Sequence, residues 1–401
     1  MQKKPLNKLK IGLVLNLVPG YSETFFRNKI KGLQSQGFEV LLFVKRVDVT
    51  IDFPCKVIVA PEFGLSLLKA VSNGVATIFK ILFLTPKRSL RLYRFDKIDN
   101  IPLKRRLKNL ILNQFFLSYN LDWLHFGFGI LAYRHENVAK AIGAKMAVSF
   151  RGYDLYLSPL KHIGCYDLLF KKDVKYHVLS KGMKQTLIDY CVPANSIHVI
   201  TPAINTGFFK LQNSSVYKED TVINILTIAR LHWKKGLEYT LEALKILKQK
   251  GISFKYTIIG DGDQYERLIF ATHQLGLSEH VNFIGKLSPT EVRQQLELSA
   301  IYLQYSIQEG FCNAVLEAQS MGLLCIVSNA EGLDENILDN ITGWVVPKRK
   351  SELLAEKIIE VIQLKPIEKQ RIILKASERV NQDFNLKIQN KAFNDFYRNL
   401  S

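Results

Sequence analysis

The chain has 401 residues, of which 47% are hydrophobic and 23% charged, with a formal net charge of +19. This length is too great for one ordinary core and suits two globular domains of about 150–200 residues each. The excess charge lies in one half, because residues 1–200 hold 31 Lys and Arg against 13 Asp and Glu, whereas residues 201–401 hold 24 against 23. A basic half is typical of proteins that meet nucleic acid, anionic lipid or an anionic substrate.

The cysteines and the N-terminal residues exclude several classes of protein. The five cysteines are widely spaced and form no CxxC pair, which predicts reduced cytoplasmic thiols and neither a disulfide framework nor a zinc site. The apolar run Ile11–Val18 follows four lysines but is short and ends at Pro19 and Gly20, so we interpret it as a buried strand and not as a secretory signal. No run of 18 uncharged apolar residues occurs, and no transmembrane segment is expected.

The first half alternates short apolar runs with helical patterns, which predicts a parallel, doubly wound sheet. Ser22 is the predicted N-cap of a helix that runs to Gln36 and is ended by Gly37. The expected strands are Ile11–Leu17, Phe38–Val44, Lys56–Ala60, Trp123–Phe126, Met146–Phe150, Tyr176–Leu179 and His198–Ile200.

Residues 65–108 form a distinct segment. An apolar residue recurs every three or four positions (Leu68, Val71, Val75, Ile78 and Leu82), which predicts an amphipathic helix. The following residues 87–108 contain nine cations against Asp96 and Asp99. We expect this segment to meet an anionic membrane surface. The alternative, an apolar stripe packed on the core beneath a solvated charged face, remains open at this stage.

A second alternating series follows residues 202–214 and predicts a second doubly wound domain. The expected strands are Ile223–Ile228, Tyr256–Ile259, Val281–Ile284, Ala300–Gln304, Leu324–Val327 and Trp344–Val346, with helices over Leu237–Lys250 and Phe311–Met321. Residues 351–400 are predicted to be helical, with breaks near Pro366 and near 383–385. Because open parallel sheets bind ligands at the carboxyl ends of their strands, two such domains in tandem predict a ligand in a central cleft between them.

The densest chemistry lies between residues 229 and 343. Arg230 and Lys235 follow a predicted strand and could bracket a diphosphate, Arg230 through its forked guanidinium and Lys235 as a point charge. The run from Glu309 through Gly310, Phe311, Cys312 and Asn313 leads from a strand into a helix whose N-terminus would favour a phosphate. Glu317 lies a little over one turn into that helix, where it could bind hydroxyl groups.

Five motifs resemble the large retaining group-4 glycosyltransferase family, which has the GT-B fold. They are Arg230–Gly236, Ile259–Gly262, Val281–Gly285, Glu309–Glu317 and Gly332–Glu335. The two glutamates of the fourth motif, with seven residues between them, are the family's hallmark. The run Pro19–Phe25 is similar to the opening of the branch that makes bacterial exopolysaccharide, colanic-acid-like and lipopolysaccharide sugars, and Arg151–Asp154 matches a short acceptor-side motif there. The resemblance covers nearly the whole chain.

The resemblance implies a domain plan and a reaction. Residues 1–205 would be an acceptor-binding, membrane-facing Rossmann-like domain, residues 206–385 a nucleotide-sugar-binding Rossmann-like domain, and residues 386–401 a helix that packs back on the first. The enzyme would be a retaining, metal-independent hexosyltransferase that moves sugar from a nucleotide-diphosphate donor to a glycan or lipid-linked acceptor, at the inner face of the bacterial plasma membrane. No cofactor and no nucleic-acid partner are expected.

The resemblance also assigns site residues. Glu309, Arg230, Lys235 and His125 would be catalytic, and Arg151 with Asp154 would lie on the acceptor side. The donor would be bound by Gly20, Arg230, Lys235, Gly260, Glu309, Gly310, Phe311, Cys312, Asn313 and Glu317. Glu309 would orient donor-sugar hydroxyls and Glu317 would hold the ribose.

Departures from the family pattern and rival interpretations remain. Many relatives carry histidines where this chain has Arg151 and Gly127, so a catalytic His125 and a histidine that only lines the cleft wall are equally compatible with the sequence. Asp261 and Asp263 imitate a metal-binding pair, but they follow the turn after a strand and are not expected to bind metal. A nucleotide-sugar epimerase or hydrolase on the same scaffold is the alternative function, and a nucleic-acid-binding protein is favoured by charge alone.

Overall fold

The computed structural model describes residues 8–19, 24–47, 53–61, 67–210 and 222–398. The predicted helix cap Ser22 and the predicted donor ligand Gly20 lie outside these residues. The chain divides into two compact units. The first unit comprises Met1–Val178, Lys184–Ile200 and Asn390–Ser401, and the second comprises Leu179–Met183 and Thr201–Gln389.

In the described part of the first unit, seven parallel strands form one sheet in the order β3-β2-β1-β4-β5-β6-β7. The strands are β1 (Lys10–Val14), β2 (Glu39–Val44), β3 (Lys56–Val59), β4 (Trp123–Phe126), β5 (Lys145–Ser149), β6 (Val174–Val178) and β7 (Ile197–Val199). Each of the seven predicted strands is confirmed within a few residues. The strands are found readily because a parallel sheet covered on both faces requires nearly continuous apolar runs.

Helices connect these strands. They are α1 (Thr24–Ser35), α2 (Leu67–Phe79), α3 (Pro86–Ile98), α4 (Leu103–Leu117), α5 (Gly129–Ala132), α6 (Val138–Ile142), α7 (Gly152–Tyr156), α8 (Ser158–Lys161) and α9 (Lys181–Asp189). A π-helical turn, Lys80–Leu84, continues α2 and ends at Thr85, after which Pro86 begins α3. Pro at the first helical position lacks only an N–H that would have no helical partner.

The second unit has a sheet of six parallel strands within the described residues, in the order β10-β9-β8-β11-β12-β13. The strands are β8 (Ile223–Ile228), β9 (Phe254–Ile259), β10 (Val281–Gly285), β11 (Ile301–Gln304), β12 (Leu324–Ser328) and β13 (Trp344–Val346). The helices are α10 (Leu237–Gln249), α11 (Tyr265–Gln274), α12 (Pro289–Glu297), α13 (Asn313–Ser320), α14 (Leu333–Asn336), α15 (Ser351–Gln363) and α16 (Pro366–Asp383). The predicted strands, helices and helix breaks of this half are confirmed.

The last helix, α17 (Leu386–Arg398), carries the most strongly buried aromatic residues of the C-terminal segment. Phe393, Phe396 and Tyr397 are all at most 3% exposed and belong to the same core cluster as Ile11, Leu13 and Trp123 of the first sheet. The Trp123 indole N–H donates to the backbone carbonyl of Tyr397. The chain's end therefore helps to form the hydrophobic core of the first unit.

Among the helices in the described ranges, none combines the length and the apolar content needed to cross a bilayer.

Candidate active site

The predicted donor residues of the second unit come together at the carboxyl edge of its sheet. Strand β8 lies between β9 and β11, and the chain leaves these three neighbours through the loops that carry Arg230, Gly260 and Glu309. Lys235 lies in a single 3₁₀ turn, Trp233–Lys235, just before α10. The point where connections from one sheet diverge to its two sides is the usual ligand site of an open parallel sheet.

Glycines let these loops approach one another closely. Gly260 has φ +141°, and a Cβ there would lie 1.9 Å from the carbonyl oxygen of Ala229. Gly332 has φ +80°, and a Cβ there would lie 2.0 Å from the carbonyl oxygen of Gly310. A larger residue would collide with backbone at either position, so these two glycines set the distance between the loops. The predicted residue Gly260 thus has a clear structural reason to be glycine.

Lys235 and Glu309 form an ion pair through the lysine Nζ and the carboxylate Oε2. Both side chains are 13% exposed, and the Ser306 hydroxyl also lies 3.3 Å from the same carboxylate oxygen. Burial alone would lower the pKa of the Lys235 amine, but the adjacent Glu309 carboxylate outweighs it and holds the pKa above its ordinary value. Lys235 is therefore a fixed positive charge, and Glu309 has one oxygen engaged and one available for a further partner.

Arg230 differs from Lys235 in having no hydrogen-bond or ion-pair partner among the described residues. Its side chain is exposed, and among the described residues no carboxylate or carbonyl accepts a hydrogen bond from its guanidinium. Asp261, one of the two aspartates that imitate a metal-binding pair, lies 3.0 Å from the Lys286 amine and accepts a hydrogen bond from the Gly262 N–H. Arg230 thus leaves a free guanidinium at the edge where Lys235 and Glu309 meet.

The N-terminus of α13 is held in place by a buried amide. Cys312 is the N-cap residue, and its side chain makes no capping hydrogen bond. The Asn336 side chain accepts from the Cys312 N–H at 3.0 Å and donates to the Cys312 carbonyl at 3.0 Å. Gly310 and Phe311 are buried immediately before the helix, and Asn313 is its first residue. The first N–H groups of α13 that follow Cys312 lack acceptors within the helix and point from its positive end.

Glu317 lies on α13 without an ion-pair partner among the described residues. Burial raises the pKa of its carboxyl group from 4.5 to about 8, with no neighbouring charge contributing. Near neutral pH the group is therefore largely protonated and can donate as well as accept hydrogen bonds.

Glu317→Gln is expected to stabilise the ligand-free protein in a pH-dependent way. The pKa of Glu317 in the folded protein lies above its value in the unfolded chain. Below about pH 4.5 the group is protonated in both states and costs no stability. Between about pH 4.5 and 8 the unfolded chain ionises more readily, so the free energy of unfolding falls as the pH rises. The amide never ionises. The gain in the free energy of unfolding should be small at pH 5 and reach on the order of a few kcal/mol by pH 8, as measured by urea unfolding across that range. A gain that does not change with pH would contradict the raised pKa.

In the first unit, Arg151 and Asp154 flank the start of α7. The Asp154 carboxylate is 2% exposed and accepts hydrogen bonds from the N–H groups of Arg151 and Ile130, both at 3.2 Å. Burial raises the pKa of this carboxyl group to about 6. The Arg151 guanidinium lies 3.9 Å from the centroid of the Phe25 ring. Asp154 thus organises two loops at the carboxyl edge of the first sheet, and its acceptor-side role stays a prediction.

His125 is fully buried within β4 and both of its ring nitrogens are occupied. Nδ1 lies 2.5 Å from the Tyr397 hydroxyl, and Nε2 lies 2.7 Å from the Ser149 hydroxyl. The chain of hydrogen bonds continues from Ser149 to His177 Nδ1 at 2.7 Å and from His177 Nε2 to the Ile200 carbonyl at 3.0 Å.

The Ile200 carbonyl, at the end of this series of hydrogen bonds, determines the position of every proton in the series. A carbonyl only accepts, so His177 donates from Nε2 and accepts at Nδ1 from the Ser149 hydroxyl, which in turn accepts from His125 Nε2. His125 Nδ1 then accepts from Tyr397. Burial, and then the positive charge of Lys29, lowers the pKa values of His125 and His177 well below the ordinary value, so both rings are neutral. In this structure His125 holds α17 to the sheet and does not face solvent; a catalytic role for it stays a prediction.

Tyr397→Phe is expected to separate these two roles. The change leaves His125 Nδ1 as a buried acceptor without a donor, which should lower the free energy of unfolding by about 1–3 kcal/mol. If His125 only positions α17, the kcat of the folded variant should stay near the wild-type value. Urea unfolding and initial rates on the same preparation measure both quantities. A kcat lowered a hundredfold in a stably folded variant would favour catalysis by His125.

The structure adds site residues that the sequence motifs did not identify. They are Ser306, which touches Glu309; Asn336, which holds Cys312; and Gln308, whose buried Oε1 has no hydrogen-bond partner. Gln308 immediately precedes Glu309 and Ser306 lies three residues before it, so their position near a predicted ligand was the available signal. Asn336 directly follows the motif Gly332–Glu335, but nothing in the sequence indicated its contact with Cys312, which lies 24 residues away.

Both units have a parallel sheet with the strand order 3-2-1-4-5-6, to which the first unit adds a seventh strand. Two such units in one chain define the GT-B class of fold. A model of the family "Glycosyl transferases group 1" matches residues 210–379. The amylovoran biosynthesis glycosyltransferase AmsK of Erwinia amylovora is 30% identical over 271 residues, which are 65% of this chain and 66% of that protein. The putative colanic acid biosynthesis glycosyltransferase WcaL of Escherichia coli K12 is 26% identical over 404 residues, covering 96% of this chain and 98% of the relative.

Among solved structures, Anabaena Alr3699/HepE in complex with UDP-glucose superposes with a TM-score of 0.72 over 98% of this chain and 100% of that chain, at 15% identity. That likeness extends the GT-B fold over nearly all of the present chain. The chain belongs to the group 1 glycosyl transferases, the family that the sequence motifs resemble, and it is a glycosyltransferase.

Proposed function

We propose that the protein is a retaining, metal-independent hexosyltransferase of bacterial surface-polysaccharide biosynthesis. It would transfer sugar from a nucleotide-diphosphate donor to a glycan or lipid-linked acceptor at the inner face of the plasma membrane. The names of two relatives, which assign them to amylovoran and colanic acid biosynthesis, support the proposed pathway. The UDP-glucose bound by HepE supports the proposed class of donor.

The ion pair between Lys235 and Glu309 beside the free guanidinium of Arg230 is the observation that carries this proposal. Cleavage of the sugar–phosphate bond places negative charge on the departing diphosphate. Two fixed cations and the N-terminus of α13 can stabilise that charge without a divalent metal. Glu309 would then orient hydroxyl groups of the donor sugar through its second oxygen, and Glu317 would bind the ribose.

Retention follows if the acceptor hydroxyl attacks from the face that the diphosphate leaves. The bond between the anomeric carbon and the phosphate oxygen breaks first, through an oxocarbenium-like state, and the acceptor oxygen bonds to the same face. The acceptor proton passes to the departing phosphate oxygen, so no protein base is needed. Neither glutamate is assigned as a covalent nucleophile.

The outer surface of α2 and of the π-helical turn after it supports contact with a membrane. Phe79, Leu82 and Phe83 are 55%, 59% and 68% exposed, and Val75 and Ile78 of the predicted stripe are exposed as well. The polar Thr77 is instead buried, at 4%. The described part of the stripe thus does not pack on the core, and an apolar surface of this kind is typical of interfacial helices. The side chains of Leu68 and Val71 lie outside the described residues.

The charges of α3 and α4 are sorted to opposite sides. Asp96 is buried and accepts from Asn109 and Asn137, and Asp99 pairs with Lys172 at 2.6 Å. Two of the nine cations are also engaged: Arg88 donates to backbone carbonyls, and the Arg106 guanidinium stacks on Tyr93. The exposed cations that remain are Lys87, Arg91, Arg94, Lys97, Lys104, Arg105 and Lys108. Each would contribute about 1 kcal/mol beside anionic lipid.

Thermal unfolding with UDP, GDP, ADP or CMP, with EDTA present throughout, tests the donor site. One diphosphonucleotide should raise the melting temperature, because a ligand that binds only the native state stabilises it. Arg230→Ala should remove that shift. No shift with any nucleotide in EDTA, or a shift that appears only when Mg²⁺ replaces EDTA, would contradict the metal-free donor site. The anomeric configuration of the product by NMR tests retention, and turnover of donor without acceptor would favour an epimerase or hydrolase.

A further inference from the structure

An apolar cavity of about 260 Å³ lies in the first unit, apart from the donor residues. It is bounded by the carboxyl ends of β1 and β2, by the residue that follows β3, and by α4. Its apolar lining includes Val14, Phe43, Val44, Ala60, Leu112 and Phe115. The carboxyl edge of a parallel sheet is where ligands bind, so a preformed apolar cavity at this edge calls for an apolar ligand.

One apolar stripe on α4 connects this cavity to the exposed apolar surface. Leu103, Leu107 and Ile111 follow at four-residue spacing and are 54%, 51% and 36% exposed. The next residue in the series, Phe115, lines the cavity, as does Leu112 beside Ile111. Residues four apart lie on one face of a helix, so the stripe leads from solvent to the cavity without a polar interruption. Helix α4 also packs against α2 and the π-helical turn, which carry Phe79, Leu82 and Phe83.

The polar residues of the cavity are basic. Lys45 and His135 line it, and Arg134 precedes His135. His135 is neutral, because burial and then the charges of Lys45 and Arg134 lower its pKa to about 4. The His135 ring is held by Asn113, 2.6 Å from its Nδ1. Among the described lining residues, Lys45 therefore carries the charge, and it is positive. A positive charge beside an apolar cavity suits a ligand with an anionic group at one end of an apolar chain.

We propose that this cavity receives the hydrocarbon chain of a lipid-linked acceptor, with its phosphate near Lys45 and its chain running along the α4 stripe to the membrane. The inference rests on the proposed glycosyltransferase function and narrows the acceptor class from any glycan to an amphiphile with an anionic phosphate. The cavity and the exposed stripe carry the proposal together. The cavity offers apolar surface at the carboxyl edge of the first sheet, and the stripe gives the hydrocarbon chain a continuous path of apolar contact.

Butyl phosphate and decyl phosphate, used below the concentration at which micelles form, are the probes. Both carry the anionic group, and only the second has a chain long enough to fill the cavity. Wild-type protein should bind decyl phosphate at least about tenfold more tightly, because several additional methylene groups leave water. Isothermal titration calorimetry measures both affinities. Equal affinities would overturn the proposal.

Ala60→Trp fills the cavity and should bring the two affinities together. Ile111→Asp, at an exposed position of the stripe, should do the same without touching the core, and so serves if Ala60→Trp does not fold. Leu90→Asp is the matched control, since Leu90 is 49% exposed on α3 outside the stripe, and it should keep the wild-type preference. A folded Ala60→Trp protein that still prefers decyl phosphate would refute the cavity as the site.

Two further readouts separate this inference from the functions on which it rests. Stabilisation by the nucleotide should persist in Ala60→Trp; if wild-type protein shows no nucleotide shift but does discriminate between the alkyl phosphates, the donor proposal fails and the cavity assignment stands. Binding to phosphatidylglycerol vesicles should also persist in Ala60→Trp. Loss of vesicle binding in that variant would show that the cavity holds a bulk membrane lipid, and would overturn the assignment to the acceptor.

Discussion

Lys235→Met and Glu309→Gln should each reduce kcat by at least about 10²–10³-fold while the protein stays folded. Lys235 is the half-buried cation beside the proposed path of the departing diphosphate, and Glu309 is its ion-pair partner. The first change removes charge that would stabilise the leaving group. The second removes the carboxylate that would orient the donor sugar. Initial rates at saturating donor and acceptor measure the effect.

The double variant distinguishes lost chemistry from lost stability. Lys235→Met alone leaves a buried carboxylate without its cation, so it should destabilise the protein, and adding Glu309→Gln should recover part of that loss because no unpaired charge remains. Activity should not recover. Lys357→Met is the matched control, since Lys357 pairs with Glu360 on the exposed surface of α15. Wild-type kcat in either single variant would remove the proposed donor site.

Replacing Phe79, Leu82 and Phe83 together by Ser should lower the affinity for vesicles that contain phosphatidylglycerol by at least about 100-fold. These side chains already project from the first unit, and each could transfer its apolar surface from water into the lipid interface, worth about 1.5–3 kcal/mol when burial is complete. Because the side chains are exposed, the free energy of unfolding should change little. Co-sedimentation with vesicles over a range of lipid concentrations measures the affinity.

The control for this prediction is a triple Ser variant of Leu298, Ile367 and Leu374 in the second unit. These residues are 66%, 74% and 53% exposed, so the control removes a comparable amount of exposed apolar surface from α16 and the end of α12. It should bind vesicles as the wild type does. Equal losses of vesicle affinity in the two triple variants would mean that nonspecific apolar adsorption, and not the α2 surface, drives binding. Raising the salt concentration should weaken the binding of wild-type protein to the vesicles, because salt screens the attraction between anionic lipid and the seven exposed cations of α3 and α4.

The sequence was sufficient to predict both sheets and the donor-side loops. Strands such as Glu39–Val44 and Leu324–Ser328 are nearly continuous apolar runs, because a strand covered on both faces has no polar side to interrupt the pattern. Arg230, Lys235 and Glu309 were each predicted to follow a strand, and the resemblance to the glycosyltransferase family assigned them to one donor site. The order of the strands brought Lys235 and Glu309 into contact across 74 residues.

Three features could be known only from the tertiary structure: the exposure of the α2 stripe, the pairing of the charges in residues 87–108 and the hydrogen-bond partner of His125. The period of α2 predicts an apolar stripe but does not show what covers it, and here Ile78 is exposed while Thr77 is buried. The charges of residues 87–108 appear mixed along the chain, but Asp96 turns inward to amides that lie 13 and 41 residues away. His125 finds its partner 272 residues later, in Tyr397. Periodicity and motifs depend on near neighbours, whereas exposure, pairing and proton position depend on contacts that form only when distant segments pack.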